Sequence, residues 1–346
     1  MSQSAEKILV VGPSWVGDMV MSQVLYKVLQ QSRPGLAIDV LAPAWSGPLL
    51  QRMPEVRRAL SMPLGHGELG LRRRFQLGRE LRQACYDQAL LLPNSLKSAL
   101  VPWIARIPRR TGWRGEMRYG LVNDLRVLDE QALPLMVQRF AALGLAPGEP
   151  VPDALPRPQL RADPELAYAL AKVHSMSPEV PVLALCPGAE FGGAKRWPAT
   201  HYAELARHYL QQGWQVALFG SANDQAVTAQ IKSLCDEHAR CFDLAGATRL
   251  IEAVDLLSLS AAVVSNDSGL MHIAAALGRP LVVVYGATSP GFTPPLSNRA
   301  VTLVNPIDCA PCFSRECPLG HHRCMVDTPP QRIIAALQPL LATGQH

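Results

Sequence analysis

A carboxylate, a lysine and a serine-glycine turn are the residues of this chain whose types and surroundings best suit chemistry. The carboxylate is Asp18, which ends the loop Gly12-Pro13-Ser14-Trp15-Val16-Gly17-Asp18 after the apolar run Lys7–Val11. Placed at a helix start beside Gly17, it can take a proton from a hydroxyl as a general base; an acid in that position can also be an ordinary N-cap. The lysine is Lys195, in Cys186-Pro187-Gly188-Ala189-Glu190-Phe191-Gly192-Gly193-Ala194-Lys195-Arg196-Trp197-Pro198. Three glycines allow this loop to approach a polyanion closely, and Lys195 offers it a point charge, an arrangement that suits a diphosphate leaving group.

The third feature is Asn266-Asp267-Ser268-Gly269-Leu270-Met271-His272, which leaves an apolar run and opens a helix. Main-chain N–H groups near Ser268 and Gly269, with the positive end of the helix dipole, form a phosphate cradle. His272 lies one turn along, where a histidine is either structural or part of the site. In Phe219-Gly220-Ser221-Ala222-Asn223-Asp224 the acid stands where ribose hydroxyls are commonly held, and equally where a helix is capped. The spacing Gly12-x-x-x-x-Gly17-Asp18 is neither the dinucleotide fingerprint Gly-x-Gly-x-x-Gly nor a Walker loop, which disfavours a nicotinamide dehydrogenase.

Loops of this kind need buried parallel strands beneath them, and the apolar pattern supplies them twice. Short apolar runs at Ile8–Val11, Ile38–Leu41 and Ala89–Leu92 alternate with helical segments near Asp18–Gln31, Glu68–Cys85 and Ser95–Ala105. A stretch from Ala146 to Pro164 holds six prolines and reads as a linker. The pattern restarts with strands at Val182–Cys186, Gln215–Phe219, Ala261–Val264 and Leu281–Tyr285, separated by four helical segments, and ends in an amphipathic helix over 329–341. The expectation is an α/β chain of two Rossmann-like, doubly wound domains facing a cleft.

The 346 residues are enough for two such cores. There is no apolar run of membrane-spanning length and no signal-peptide pattern at the start, so a cytoplasmic protein is expected. The net charge of +5 is uneven: residues 1–150 carry 19 Lys and Arg against 12 Asp and Glu. Between Lys97 and Arg118, six cations face the single carboxylate Glu116. This is either a solvated face or a site for an acidic small molecule or anionic headgroup; with 6% aromatics and no nucleic-acid module, nucleic acid is disfavoured. Cys309, Cys312, Cys317 and Cys324 cluster with His321 and His322, leaving structural zinc, reduced thiols or a redox role open. Cys85, Cys186, Cys235 and Cys241 read as buried or incidental thiols.

Taken together, the Gly12–Asp18 loop, Pro93-Asn94-Ser95-Leu96-Lys97-Ser98-Ala99, Thr111–Gly120, Pro187–Gly192, Lys195-Arg196-Trp197-Pro198 and Asn266–His272 resemble the ADP-heptose–lipopolysaccharide heptosyltransferases of glycosyltransferase family 9, which have the GT-B fold. The resemblance spans essentially the whole chain. It implies an acceptor-binding domain over 1–155, an ADP-heptose-binding domain over 165–328, and a C-terminal helix and tail over 329–346. It further implies inverting transfer of L-glycero-D-manno-heptose from ADP-heptose to the first inner-core heptose of lipopolysaccharide (Hep-Kdo2-lipid A), by a protein peripheral to the inner face of the inner membrane. A family member acting on Kdo2-lipid A itself and a non-catalytic nucleotide-sugar-binding assembly protein are the alternatives. By the same resemblance Asp18 is the base and Lys195 the cation on the diphosphate. Ser268 and Gly269 hold phosphate, Asp267 and His272 shape the donor pocket, Asp224 takes the ribose and Thr248 lies near adenine. Lys97, Arg114 and Arg118 hold the acidic acceptor. No cofactor is required for catalysis, and zinc on the four cysteines has at most a structural part.

Overall fold

The computed structural model describes residues 6–65 and 67–342. The chain divides into two compact units, Met1–Pro158 and Gln159–His346. In the first, the elements are β1 (Lys7–Val11), α1 (Val16–Ser32), β2 (Ala37–Pro43), α2 (Gly47–Leu50), β3 (Val56–Met62), α3 (Leu71–Leu81), β4 (Gln88–Leu91), α4 (Leu96–Ile104), β5 (Arg109–Trp113), β6 (Asp124–Arg126) and α5 (Met136–Gly144). The second holds α6 (Pro164–Val173), β7 (Val182–Cys186), α7 (Ala199–Gln211), β8 (Gln215–Leu218), α8 (Gln225–Leu234), β9 (Cys241–Asp243), α9 (Leu250–Ser258), β10 (Ala262–Asn266), α10 (Gly269–Ala276), β11 (Leu281–Tyr285), β12 (Ala300–Val304), α11 (Arg323–Val326) and α12 (Pro330–Ala342).

Among the described residues each unit has a six-stranded sheet, ordered β3-β2-β1-β4-β5-β6 in the first and β12-β11-β10-β7-β8-β9 in the second. All neighbouring strands are parallel. Counted within its own unit, the second sheet repeats the order of the first, so this is an α/β protein of two doubly wound units. The central strands form because their residues are apolar on both faces: β7, β10 and β11 are buried throughout and β1 at all but its first residue.

The edges follow a different rule. β3 reads VRRALSM and β12 reads AVTLV, both half-exposed, and β6 and β9 are three residues each. None of these has the uninterrupted apolar run by which the central strands are recognised, and none is expected from the sequence. β5 (RRTGW) is missed for the same reason, although it lies one strand in from the edge.

No helix or strand lies between α5 and α6. Pro164, the last proline of this stretch, nevertheless opens α6: it stands at the first helical position behind Asp163, whose carboxylate accepts the Leu166 N–H at 3.1 Å. Proline's missing N–H costs nothing there. At the other end of the unit, α12 buries Ile333 and Leu337 in the same core as Tyr202 and Leu205 of α7.

In a sheet of this order the chain leaves the first and fourth strands in opposite directions, opening a crevice at their C-terminal ends. The Gly12–Asp18 loop follows β1 and the Pro93–Ser95 turn follows β4; the Pro187–Pro198 loop follows β7 and Asp267-Ser268 follows β10. The sequence motifs therefore occupy the switch points of the two sheets. No helix among the described residues is long and apolar enough to cross a membrane.

Candidate active site

The second unit's switch point is organised by Asn266, the last residue of β10 and fully buried. Its Nδ2 donates to the Pro187 carbonyl at 2.7 Å, while its Oδ1 accepts from the Trp197 N–H at 3.1 Å and the Tyr202 hydroxyl at 3.0 Å. One side chain thus fixes the start of the β7 loop, its end, and the helix that follows.

Within that frame Lys195 Nζ lies 2.7 Å from Asp267 Oδ2, with side chains only 14% and 7% exposed. The Thr288 hydroxyl donates to the same carboxylate oxygen at 2.6 Å, and the Phe191 ring lies 4.9 Å from the ammonium. Ser268 caps α10: its Oγ accepts the Met271 N–H at 3.4 Å and meets Ser265 Oγ at 3.1 Å. The cation and the first-turn amides of α10 therefore flank one acidic residue, Asp267. Burial, opposed by Asp267 and reinforced by the charge of Lys195, lowers the pKa of His272 to about 4. Its imidazole is neutral at neutral pH.

Asp224 serves as a cap. Its Oδ2 accepts from both the N–H and the hydroxyl of Ser221 at 2.9 Å, and Arg196 stands 3.9 Å from Oδ1. A Cβ on Gly188 would come within 2.5 Å of this carboxyl, so the β7 loop passes directly over it only because residue 188 is glycine. Thr248 lies in the β9–α9 loop, its hydroxyl donating to the Leu244 carbonyl at 3.3 Å.

In the first unit the N-cap of α1 is Trp15, which makes no side-chain cap bond; Asp18 is inside the first turn and half-buried. The N-cap residue is therefore Trp15 and not Asp18. Gly12 is needed for a close crossing: a Cβ would meet Met19 Cε, Ala42 Cβ and Val40 Cγ1 at 3.1–3.2 Å, while its N–H donates to Leu41 O at 2.9 Å.

Across this switch point the Pro93–Ala99 and Thr111–Gly120 segments, distant in sequence, form one braced pair. Glu116 accepts the Leu96 N–H at 2.7 Å, supplying the cap that Ser95 does not, and donates its own N–H to Asn94 O at 3.1 Å. Arg118 is only 1% exposed; it donates to Pro93 O at 2.7 Å, Trp113 O at 2.6 Å, and Ser98 Oγ and Asn94 Oδ1 at 3.2 Å. This corrects its expected place as an acceptor ligand: both terminal nitrogens of the buried guanidinium are taken up by the chain's own oxygens. Arg110 is likewise tied to Leu121 O and Ile107 O, and Arg109 to Asp124. Lys97 is part-exposed and Arg114 exposed.

Cys309, Cys312 and Cys317 are part-exposed and Cys324 is buried. Cys309 Sγ lies 4.0 Å from His321 Nε2, yet among the described residues no group of three or more His, Cys, Asp or Glu side chains is disposed to hold a metal ion. Of the remaining cysteines Cys186, Cys235 and Cys241 are buried, whereas Cys85 is exposed.

With this geometry in hand, residues 74–323 match the model of glycosyltransferase family 9 (heptosyltransferase). The chain belongs to glycosyltransferase family 9. Lipopolysaccharide heptosyltransferase 2 of Escherichia coli K12 is 52% identical to this family 9 chain over 97% of its length and 98% of the relative's. The solved structure of E. coli ADP-heptose lipopolysaccharide heptosyltransferase II superposes with a TM-score of 0.88 at 49% identity, covering 98% of this chain and 100% of that one. Lipopolysaccharide heptosyltransferase 1 of Pseudomonas aeruginosa is more distant, at 27% identity over 97% of this chain and 98% of the relative's. The family 9 chain is a glycosyltransferase, and the match to heptosyltransferase II is a match of the GT-B fold.

Lys195, Asp267, Ser268, Gly269 and His272 are brought together in the second unit. Thr288 and Asn266 belong to the same network. Thr288 has no local signal, because it is joined to Asp267 only by the parallel pairing of β10 with β11.

Proposed function

We propose that this chain transfers L-glycero-D-manno-heptose from ADP-heptose, with inversion, to the first inner-core heptose of lipopolysaccharide. The observation that carries the reading is the Lys195–Asp267 pair at the second unit's switch point, beside the N-terminus of α10. Nucleophilic attack on the anomeric carbon breaks its bond to the diphosphate, and charge develops on the departing oxygen. Lys195 and the amides at Ser268 and Gly269 stabilise that charge, so the reading assigns no step to a divalent cation. Asp267, accepting from both Lys195 and Thr288, sets where the ammonium points. Asp18 accepts the proton of the acceptor hydroxyl. His272, neutral and buried, shapes the donor pocket, and Thr248 lies toward adenine. Asp224 contributes by supporting the loop at Gly188. Lys97 and Arg114 are the cations available to the acidic acceptor.

The preference for the heptosylated acceptor rests on the higher identity to the heptosyltransferase 2 relative than to the heptosyltransferase 1 relative. The acceptor is a membrane lipid, so the protein works as a peripheral enzyme at the inner face of the inner membrane. The test is incubation with ADP-L-glycero-D-manno-heptose and either Kdo2-lipid A or its monoheptosylated form, reading ADP release and product mass. Transfer to the monoheptosylated acceptor alone is expected. Transfer to Kdo2-lipid A would make the chain the first transferase instead, and transfer to neither would overturn the substrate assignment.

A further inference from the structure

We propose that the face formed by α3 and α4 is the surface by which this protein lies on an anionic lipid bilayer. The inference rests on the proposed lipid acceptor and adds to it a place. Leu71 and Phe75 stand one turn apart on α3 and are 57% and 49% exposed; Leu69 and Trp103 beside them are each 50% exposed. Between the two helices Leu71, Phe75, Leu100 and Trp103 line an apolar groove of about 370 Å³. Gly78 makes this pairing of helices possible, since a Cβ there would come within 2.7 Å of the Ile104 side chain.

Around the apolar ridge Arg72, Arg73, Arg79 and Arg106 are exposed, against Glu68 and Glu80. Arg79 lies 5.9 Å from the Phe75 ring. Arg74 and Arg82 turn inward, to the carbonyls of Leu69 and Lys97 and of Ile104, and brace the face instead of charging it. Half-exposed Trp, Phe and Leu ringed by arginines suit the headgroup boundary, where apolar bodies enter and guanidinium groups meet phosphates. A solvent-facing helix pair gains nothing from four large apolar side chains left in water.

The experiment is co-sedimentation of the full chain with phosphatidylglycerol-containing and purely phosphatidylcholine vesicles, neither containing acceptor. The wild type is expected to bind the anionic vesicles. The variant Leu71→Ser, Phe75→Ser, Trp103→Ser is expected to lose about tenfold or more in partitioning, and Arg72→Glu with Arg79→Glu to lose the preference for anionic lipid. Transfer to a deacylated, soluble acceptor is expected to survive in both variants, which separates failure of the surface from failure of the substrate reading. Wild-type binding retained by both variants would overturn the proposal. So would a wild type that ignores vesicles, or sedimentation showing that the face joins two copies of the chain.

A second inference stands on different observations. We infer that Glu316, in the cysteine-rich loop, is a positioning residue for Lys195. The Glu316 carboxylate accepts the Gly193 N–H at 3.2 Å, and the neighbouring Arg315 carbonyl accepts the Ala194 N–H at 3.0 Å. A Cβ at Gly192 would run into that carbonyl. The Arg315 guanidinium lies 5.7 Å from the same Phe191 ring that flanks the Lys195 ammonium. The Phe313 N–H donates to Ala287 O at 2.7 Å, next to Thr288. Segment 313–316 therefore grips the lysine loop and borders the threonine that shares Asp267, fixing the cation from behind.

Glu316→Ala removes the acceptor for Gly193; Glu316→Gln keeps one without the charge. For Ala, the KM for the sugar-nucleotide donor and the Kd for ADP are expected to rise about five- to tenfold, with the acceptor KM unchanged. Gln is expected to restore both to within about twofold. A purely structural role would move both KM values and the thermal midpoint together, and that result would overturn the inference. Donor parameters unchanged in Ala, or not restored in Gln, would also overturn it.

Discussion

The two switch points share one strand order and differ in where their bracing lies. In the second unit it is concentrated on the charge itself: Asn266 ties the β7 loop at both ends, and Asp267 and Thr288 hold Lys195. In the first it lies one loop away, where Arg118 and Glu116 stiffen the Pro93–Leu96 turn, while Trp15, in the same loop as Asp18, remains 46% exposed. A diphosphate has the same shape and charge in every turnover and rewards a fixed cation. A glycolipid is large and variable, and suits the proposed base, Asp18, in a loop with an accessible indole beside a braced turn.

The comparison is broken most sharply at Asp18. Asp18→Asn should lower kcat by about 10²–10⁴-fold while ADP affinity, measured by calorimetry, stays as in the wild type. If ADP binding falls with it, base and donor functions are not divided between the units as argued. Lys195→Ala should follow, with kcat/KM reduced about 10²–10³-fold. Lys195→Arg should recover little, because the larger planar guanidinium spreads its charge and does not fit as a point charge in a site where the side chain is only 14% exposed.

His272 gives a test in stability. Its pKa falls from 6.5 to about 4 in the folded state, so below about pH 6.5 the unfolded chain binds a proton that the native one refuses. The stability held above pH 6.5 should drain away as pH falls toward 4, by up to roughly 3 kcal/mol. Urea unfolding at pH 7.5 and 5 should show a steeper loss in the wild type than in His272→Gln. Arg118→Ala should cost about 2–3 kcal/mol of stability by leaving buried carbonyls unpaired, with the acceptor KM for soluble acceptor little changed. A large KM effect in a normally stable variant would return Arg118 to the ligand set. The smallest change should come from Thr288→Val, a few-fold loss in kcat/KM, since Asp267 keeps Lys195.

What was legible in the sequence follows from local signals. β7, β10 and β11 announce themselves because every residue is buried, and the loops after them because glycine, cation and helix start sit side by side. β3 and β12 lack an apolar run because each has an open edge and an exposed face. Thr288 and Glu316 could not be read: they meet the site across 21 and 123 residues, through strand pairing and a loop return. Arg118 misled because basicity says nothing of burial; its partners are carbonyls of ordinary residues.

The shared strand order carries a consequence for biogenesis. Every strand of the first sheet comes from residues up to Arg126, and its last helix ends at Gly144. At about 5–20 residues per second, synthesis of the second unit takes roughly ten to forty seconds more. Parallel pairing between distant strands is slow, but it can be completed in that interval. The apolar strands β1 and β4 are thus made, and can be paired, before β7 and β10 leave the ribosome.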